Sequence, residues 1–291
     1  MKPILTVLVC AGVIIFTSCQ KDITEELKPP PHAADTLLST ILIYDTATPG
    51  RDMNLVQFIY DAQDRVIEIR DIFFDSTNGS MSIHDEFSTF FYYNGSDKKP
   101  YRSYGWTRYL FTEYDVYHFY DAQGRLILDS LGAPNGAYMV NHFNYTQDQL
   151  VVVSSTYDAN QQLVIHENSD SCYFAGGNVS RAFTEYPVTL QREDIFEYAY
   201  DDKVNPLSKM NIAVCMGVDK YAPLDKMWVL PWGMSRNNII KRVSNSSSLG
   251  MSRTTEYQFT YNENNLPVLG VFREIGLTNE GIRARYEYVK K

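Results

Sequence analysis

Two similar dodecapeptides decide the fold of this chain: Gln57-Phe58-Ile59-Tyr60-Asp61-Ala62-Gln63-Asp64-Arg65-Val66-Ile67-Glu68 and Tyr117-His118-Phe119-Tyr120-Asp121-Ala122-Gln123-Gly124-Arg125-Leu126-Ile127-Leu128. In each, an aromatic-rich run that suits a strand ends in tyrosine. Asp then follows, which can accept hydrogen bonds from a turn, and leucine or β-branched residues resume afterwards. Asp64 and Gly124 occupy the turn position that needs a positive φ, which glycine adopts freely and Asp tolerates. Each dodecapeptide therefore predicts a β-hairpin.

Weaker copies of the same pattern continue along the chain, as expected of an internal repeat. They lie at Ser155–Leu163, Tyr198–Asn205 and Phe259–Leu266, with degenerate versions around Tyr92–Gly95, Asn144–Asp148 and Phe174–Gly177. Asn265 is expected at positive φ in its copy. Val204 is unsuited to that conformation, so its turn is predicted to be longer, with Asn205 in the strained position.

The tyrosines before the five clearest turns have a predicted structural role. We expect them to stack on one face of the sheet as a cross-strand aromatic ladder, since such pairs stabilise neighbouring strands. These residues are Tyr60, Tyr120, Tyr157, Tyr200 and Tyr261.

Residues 117–126, Tyr-His-Phe-Tyr-Asp-Ala-Gln-Gly-Arg-Leu, resemble a unit of the YD repeats of Rhs-type bacterial surface proteins. About seven or eight copies cover residues 57–288, a number similar to that in the smaller YD-repeat lipoproteins of Bacteroidetes-type bacteria. The resemblance implies an all-β fold, an antiparallel meander of hairpins forming a curled sheet, a solenoid or an open barrel. It supplies no set of functional residues.

One segment departs from the repeat, from Asn211 to Asn237. It predicts a short helical or irregular insertion, because proline is accepted in a first helical turn at Pro223 and would end a helix at Pro231. An insertion in a repeat array usually covers one face or closes one end.

The N-terminus predicts export. Residues 1–18 combine an early Lys2 with an apolar run that is too short to span a bilayer, as in a secretory signal peptide. Cys19 then stands where the acylated cysteine stands in the lipobox of bacterial lipoproteins, although Phe16 replaces the usual leucine. Residues 19–35 are polar and rich in proline, which is typical of an extended tether. Residues 36–291 form the predicted β domain.

Lipidation at Cys19 implies a membrane anchor, because acyl chains that enter the bilayer hold a protein on it. Acidic residues behind Cys19, including Glu25 and Glu26, resemble the surface-export signal of Bacteroidetes-type lipoproteins. We therefore predict an outer-membrane lipoprotein displayed on the cell surface, with a periplasm-facing position as the alternative.

Charge and cysteine content narrow the possible partners. Loss of residues 1–18 removes one of 26 basic residues, so 25 basic and 35 acidic side chains give a net charge of −10. This sign argues against nucleic acid as a partner. Of four cysteines, Cys172 and Cys215 remain once Cys10 is removed and Cys19 is acylated. They could form a disulfide in an exported protein, or be two small apolar side chains in the core.

Motifs for catalysis or for a bound cofactor are absent from the sequence, which contains no Gly-x-Ser-x-Gly, Walker or His-Glu-x-x-His pattern. His118, His142 and His166 recur at regular spacing, but His118 and His142 differ in strand parity and are predicted on opposite faces. No metal site is expected. We predict a protein that is not an enzyme, a hydrolase being the least favoured reading.

Aromatic side chains suggest a binding function, since flat rings can stack on sugars or anchor a protein interface. The candidate residues are Trp106, Trp228 and Trp232, whose alternative role is packing over the sheet. The first hypothesis is a module that binds a glycan or an envelope protein. The second is a structural component of an outer-membrane assembly.

Overall fold

The computed structural model describes residues 36–45, 53–77, 80–107, 113–132, 136–185, 193–210, 212, 233–246, 250–276 and 281–291. Within these ranges the chain forms sixteen strands. They are β1 (Thr36–Asp45), β2 (Met53–Tyr60), β3 (Val66–Thr77), β4 (Ser80–Tyr92), β5 (Arg102–Thr107), β6 (Glu113–Tyr120), β7 (Leu126–Gly132), β8 (Tyr138–Tyr145), β9 (Gln149–Tyr157), β10 (Leu163–Ala175), β11 (Asn178–Glu185), β12 (Glu193–Val204), β13 (Asn237–Ser246), β14 (Met251–Tyr261), β15 (Pro267–Glu274) and β16 (Ile282–Lys290). None of the helices in these ranges is long and apolar enough to cross a membrane.

The strands form one closed antiparallel barrel. Each strand pairs with the next in sequence, and β16 pairs with β1, where Leu38 lies opposite Tyr288 and Ile41 opposite Tyr286. The all-β antiparallel meander is thus confirmed, but the expected curled sheet, solenoid or open barrel is wrong. Those forms leave two sheet edges unpaired, whereas closure removes both. The strand that permits closure is β1, which precedes the first copy of the repeat.

Side chains alternate between the interior and the outer face along each strand. On β6, for example, Val116 and His118 are buried inside, while Tyr117 and Phe119 are exposed outside. The interior holds a continuous apolar core. Its most completely buried members include Val56, Leu126, Leu150, Val179, Ile212, Met234 and Ile239.

The two ends of the barrel differ in which turns they carry. The turns 61–65, 121–125 and 262–266 connect even-numbered to odd-numbered strands and share one end, which we call the repeat end. Turn 158–162 connects β9 to β10 and therefore lies at the opposite end. In that copy Tyr157 faces outward and stacks on Tyr138, with ring centroids 4.9 Å apart. The prediction that Tyr157 shares one face with the other repeat tyrosines is wrong.

Hydrogen bonds from the backbone to Asp explain the turns. The Asp121 Oδ1 atom accepts from the N–H groups of Gln123 and Arg125 at 3.0 and 2.8 Å, and Arg125 Nε donates to Oδ2 at 2.7 Å. Asp61 makes the same three contacts in its own hairpin. The predicted positive φ values are confirmed. They are 60° at Asp64, 73° at Gly124 and 57° at Asn265, with a further one of 63° at Gln161.

The turn after β12 differs from the prediction. Asn205 has φ −78°, not a strained positive value, and its side chain accepts from Leu207 N–H to begin a 3-10 helix at Pro206–Lys209. Its Nδ2 group also donates to Ser235 O at 2.9 Å. Pro206 fixes the first turn and so favours a helical start over a tight hairpin. The helix predicted near Pro223 lies outside the described residues.

Inward-facing tyrosines of the repeat, and Tyr288 of β16, bind the neighbouring strands through their hydroxyl groups, a contact that we call the tyrosine latch. In each case the hydroxyl donates to a main-chain carbonyl at 2.6–2.8 Å. The pairs are Tyr60 with Leu38, Tyr93 with Val66, Tyr120 with Pro100, Tyr200 with Val179, and Tyr288 with Pro267. Tyr261 donates instead to the carboxylate of Asp201. These hydroxyl contacts connect consecutive hairpins, and the ladder of stacked rings stays a prediction.

Removal of one latch hydroxyl gives a first prediction. Tyr120→Phe should lower the free energy of unfolding by about 1 kcal/mol, because the Pro100 carbonyl loses its hydrogen bond. Urea unfolding measures the change. Tyr101→Phe is the matched control, since Tyr101 is 38% exposed and its hydroxyl can bond to water. Equal midpoints for the two variants would show that the latch does not stabilise the barrel.

Candidate binding surface

Six aromatic side chains lie together on the outer face of β4, β5 and β6, and we call them the aromatic platform. Alternation sends two from each strand outward. They are Phe90, Tyr92, Tyr104, Trp106, Tyr117 and Phe119. Three of them are markedly exposed: Tyr92 at 38%, Tyr117 at 46% and Phe119 at 50%. A cluster of exposed rings on an outer face is a common sign of a binding surface.

The register of the three strands sets the platform's layout. Phe90 lies opposite Tyr104, and their ring centroids are 6.4 Å apart at an interplanar angle of 31°. Trp106 lies opposite Ser88 on one side and Glu113 on the other. Rings on neighbouring strands therefore stand side by side, with polar groups between them.

Arg102 holds the centre of the platform. Its Nε and Nη2 atoms donate to the two carboxylate oxygens of Asp115 at 2.6 and 2.9 Å. The same guanidinium lies 4.9 Å from the Tyr92 ring centroid and 5.9 Å from that of Tyr117. The hydrogen bonds that Arg102 donates to Asp115 raise the pKa of Arg102 above its ordinary value, so the group stays charged. Arg102 thus orients two exposed rings through cation–π contacts.

A carboxylate also borders the platform beside Tyr104. Desolvation, and then a hydrogen bond with Glu113, raise the pKa of the Tyr104 phenol, which therefore remains a donor at neutral pH. Together with Asp115 and Arg102, these groups place hydrogen-bonding atoms between apolar ring faces. This combination can stack on the apolar side of a sugar ring while bonding to its hydroxyl groups.

Of the three tryptophans that the sequence predicts as binding residues, the structure describes only Trp106. Trp106 belongs to the platform and is half-buried. Trp228 and Trp232 lie outside the described residues, so their part in binding stays a prediction. The sequence reasoning missed Tyr92, Tyr117 and Phe119. Strand parity was a usable signal, because Tyr117 and Phe119 alternate with the inward-facing His118 and Tyr120.

The side chain of Cys172 faces the interior from β10 and is buried. Desolvation, followed by the nearby Asp170, raises the pKa of this thiol to about 12, so it is unreactive at neutral pH. Cys215 lies outside the described residues. A disulfide between Cys172 and Cys215 therefore stays a prediction.

A hydrogen-bonded row of polar side chains crosses the interior of three strands. His118 Nδ1 lies 2.6 Å from Asp129 Oδ1, and His118 Nε2 lies 3.0 Å from Ser103 Oγ. These contacts have the connectivity of a serine-hydrolase triad. Ser103 and His118 are only 5% exposed and Asp129 only 2%, so all three side chains are shielded from solvent. The arrangement pairs buried polar groups, as a folded interior requires.

Metal binding finds no support in the part of the chain that the structure describes, where no three His, Cys, Asp or Glu side chains are placed to share an ion. His118 is buried inside the barrel and His142 is exposed outside it, which confirms the predicted opposite faces. The side chain of His166 is not among those described.

Solved structures provide the only similarity found, since no protein-family model and no curated protein matches this chain. A porin-like protein from Bacteroides uniformis matches with a TM-score of 0.54 and 11% identity, over 87% of this chain and 96% of that one. A porin-like protein from Bacteroides vulgatus matches with a TM-score of 0.53 and 11% identity, over 88% and 99%. At this identity, the likeness establishes a shared barrel fold and no activity.

Proposed function

We propose that this chain is a non-enzymatic, lipid-anchored protein of the outer membrane whose aromatic platform binds a glycan at the cell surface. The exposed rings of Tyr92 and Tyr117 on either side of Arg102 carry the proposal. The lipobox-like Cys19 and the porin-like fold of the structural neighbours support a place in the envelope. The resemblance to YD-repeat lipoproteins remains part of the proposal.

The outer face of the barrel argues against insertion into the membrane. Outward positions on β13 to β16 carry exposed charges at mid-strand: Lys241, Glu256, Arg273, Arg283 and Arg285. On a lipid-facing strand, each Lys or Arg costs about 2–4 kcal/mol at the bilayer midplane. A barrel with this surface lies outside the hydrocarbon layer and is held there by its acylated N-terminus. The large cluster of buried apolar side chains inside it also differs from the polar lumen of a porin.

Glycan is favoured over a protein partner because polar groups lie between the rings. Asp115, Glu113 and Arg102 offer both acceptors and donors within reach of a stacked sugar. The core of a protein interface is generally depleted of charged side chains. The net charge of −10 on the mature chain further favours a neutral glycan over an acidic one.

Glycan-array binding by residues 20–291 tests the proposal. We expect a neutral polysaccharide to bind, and Tyr117→Ala to weaken its binding roughly tenfold, because one stacking ring contributes about 0.5–1.5 kcal/mol beyond its buried area. Tyr173→Ala is the matched control, since Tyr173 is an exposed outward tyrosine on the distant strand β10. We expect this variant to bind normally.

Two outcomes would contradict glycan binding by the platform. One is an array without any carbohydrate hit. The other is an equal loss of binding in Tyr173→Ala and Tyr117→Ala. If glycans fail to bind while an outer-membrane protein requires Tyr117, the structural role in an envelope assembly replaces the proposal.

A further inference from the structure

A row of outward side chains extends from the aromatic platform to the strands beyond it. The register places one outward residue of each strand from β4 to β9 directly opposite the next. In order, these residues are Phe90, Tyr104, Asp115, Gly132, Tyr138 and Tyr157. Since neighbouring strands are about 4.8 Å apart, the row is roughly 24 Å long. It is aromatic at both ends, with a carboxylate and a glycine in the middle.

Gly132 leaves a gap in the middle of this row. A methyl group in place of its side-chain hydrogen would meet no atom within 4 Å, apart from its chain neighbours. Asp115 on β6 and Tyr138 on β8 lie opposite Gly132 on its two sides. The outer face therefore has a slot over Gly132, with a carboxylate on one side and an aromatic ring on the other. We call it the Gly132 slot.

The aromatic wall of the Gly132 slot is a flat ring face. Tyr138 and Tyr157 stack with ring centroids 4.9 Å apart and an interplanar angle of 10°. This separation is close to the spacing of their strands, about 4.8 Å, so both rings stand upright on the sheet, side by side. Tyr157 covers one face of the Tyr138 ring. The other face of Tyr138 is turned toward β7 and the slot.

The carboxylate wall of the slot is held in place by Arg102. This guanidinium donates to the two carboxylate oxygens of Asp115 at 2.6 and 2.9 Å. A carboxylate has about four lone-pair sites, so Asp115 can accept further hydrogen bonds. Its side chain is 34% exposed, which allows the hydroxyl groups of a ligand to reach it. The slot thus combines a flat apolar face with an oriented acceptor.

We propose that the Gly132 slot is a second sugar-binding subsite, through which the protein binds internal stretches of a linear neutral polysaccharide. This subsite rests on the glycan binding proposed above for the aromatic platform. One sugar stacks its apolar side on Tyr138, and its hydroxyl groups donate to Asp115. The platform binds sugars of the same chain on the other side of Asp115. A hexose in an extended chain is about as long as the strand spacing, so the row accommodates roughly five units.

The length of the bound oligosaccharide distinguishes this subsite from binding by the platform alone. The probe is an array of neutral malto-, cello- and manno-oligosaccharides of increasing length. In whichever series binds residues 20–291, we expect a chain of about six units to bind roughly tenfold more tightly than one of about three units. Only the longer chain reaches both the platform and the Gly132 slot.

Two sets of variants test the slot directly. Gly132 does not have a positive φ, so leucine fits its backbone, and Gly132→Leu fills the slot. This variant should remove the advantage of the longer chain and leave binding of the shorter chain unchanged. Ser252→Leu is the matched control, since it adds the same side chain at an exposed position on the distant strand β14. Tyr138→Ala should lose the advantage as well, whereas Tyr138→Phe, which keeps the ring, should retain it.

Three results would overturn the second subsite. They are equal binding of the longer and shorter chains, an unchanged advantage of the longer chain in Gly132→Leu or Tyr138→Ala, and an equal loss in Ser252→Leu. Under each of these results, Tyr117→Ala still shows whether the platform itself binds glycan. Failure of every chain length and of every other carbohydrate to bind would contradict the platform and the second subsite together.

Discussion

Replacement of Asp129 by alanine should lower the free energy of unfolding by about 3–5 kcal/mol, the largest effect that we expect from a single substitution. The Asp129 carboxylate is 2% exposed and lies 2.6 Å from His118 Nδ1. Its loss leaves a buried imidazole without the hydrogen-bond partner of its Nδ1 atom. Breaking a buried pair from one side costs far more than the pair contributes, because the remaining polar group cannot reach water.

Urea unfolding followed by tryptophan fluorescence measures this cost. Asp115→Ala is the matched control, because Asp115 is paired with Arg102 but lies on the outer face with its side chain 34% exposed. Exposed ion pairs contribute at most about 1 kcal/mol, so the control should unfold close to the parent midpoint. If the two variants lose equal stability, the interior pair has no special role.

Leu150→Ala should cost about 2–5 kcal/mol, the second-largest expected effect. Leu150 is fully buried inside the barrel, opposite Tyr145 on one side and Cys172 on the other. Truncation removes buried methyl groups and leaves a cavity among the packed side chains of the barrel interior. A barrel interior bounded by hydrogen-bonded strands on every side has little freedom to collapse into such a space.

Leu163→Ala on the neighbouring strand provides the comparison for Leu150. Leu163 is 45% exposed, so its truncation should change the free energy of unfolding by no more than about 0.5 kcal/mol. Calorimetry or urea titration of both variants gives the difference. A Leu150→Ala loss below 1 kcal/mol would indicate that the interior is loosely packed around this residue.

Local chemistry allowed the hairpins to be predicted from the sequence. Asp121 binds the turn backbone within a few residues of itself, and Gly124 or Asn265 supplies the positive φ, so the information lies inside each repeat. The positive φ predicted for Asn205 was wrong, because Asn205 and Pro206 start a 3-10 helix and the repeat pattern ends there.

Long-range features could not be predicted in the same way. Closure depends on β1, which carries no copy of the repeat. The outward orientation of Tyr157 depends on the number of strands that precede it. The buried polar row could have been predicted by comparing the two dodecapeptide hairpins. His118 and Asp129 occupy the positions that Phe58 and Ile69 hold in the first hairpin. An apolar pair replaced by an acid and an imidazole at facing positions indicates a buried polar contact.

The pairing of the first strand with the last has a consequence for biogenesis. Thr36 lies opposite Lys290, so the wall of the barrel is completed only by residues at the far end of the chain. During synthesis, an emerging polypeptide can form its hairpins in order, yet it keeps two unpaired sheet edges until the last strand is made. Premature termination before Ile282 would leave both sheet edges unpaired and favour self-association. The protein is therefore expected to be soluble only when the whole chain is synthesised.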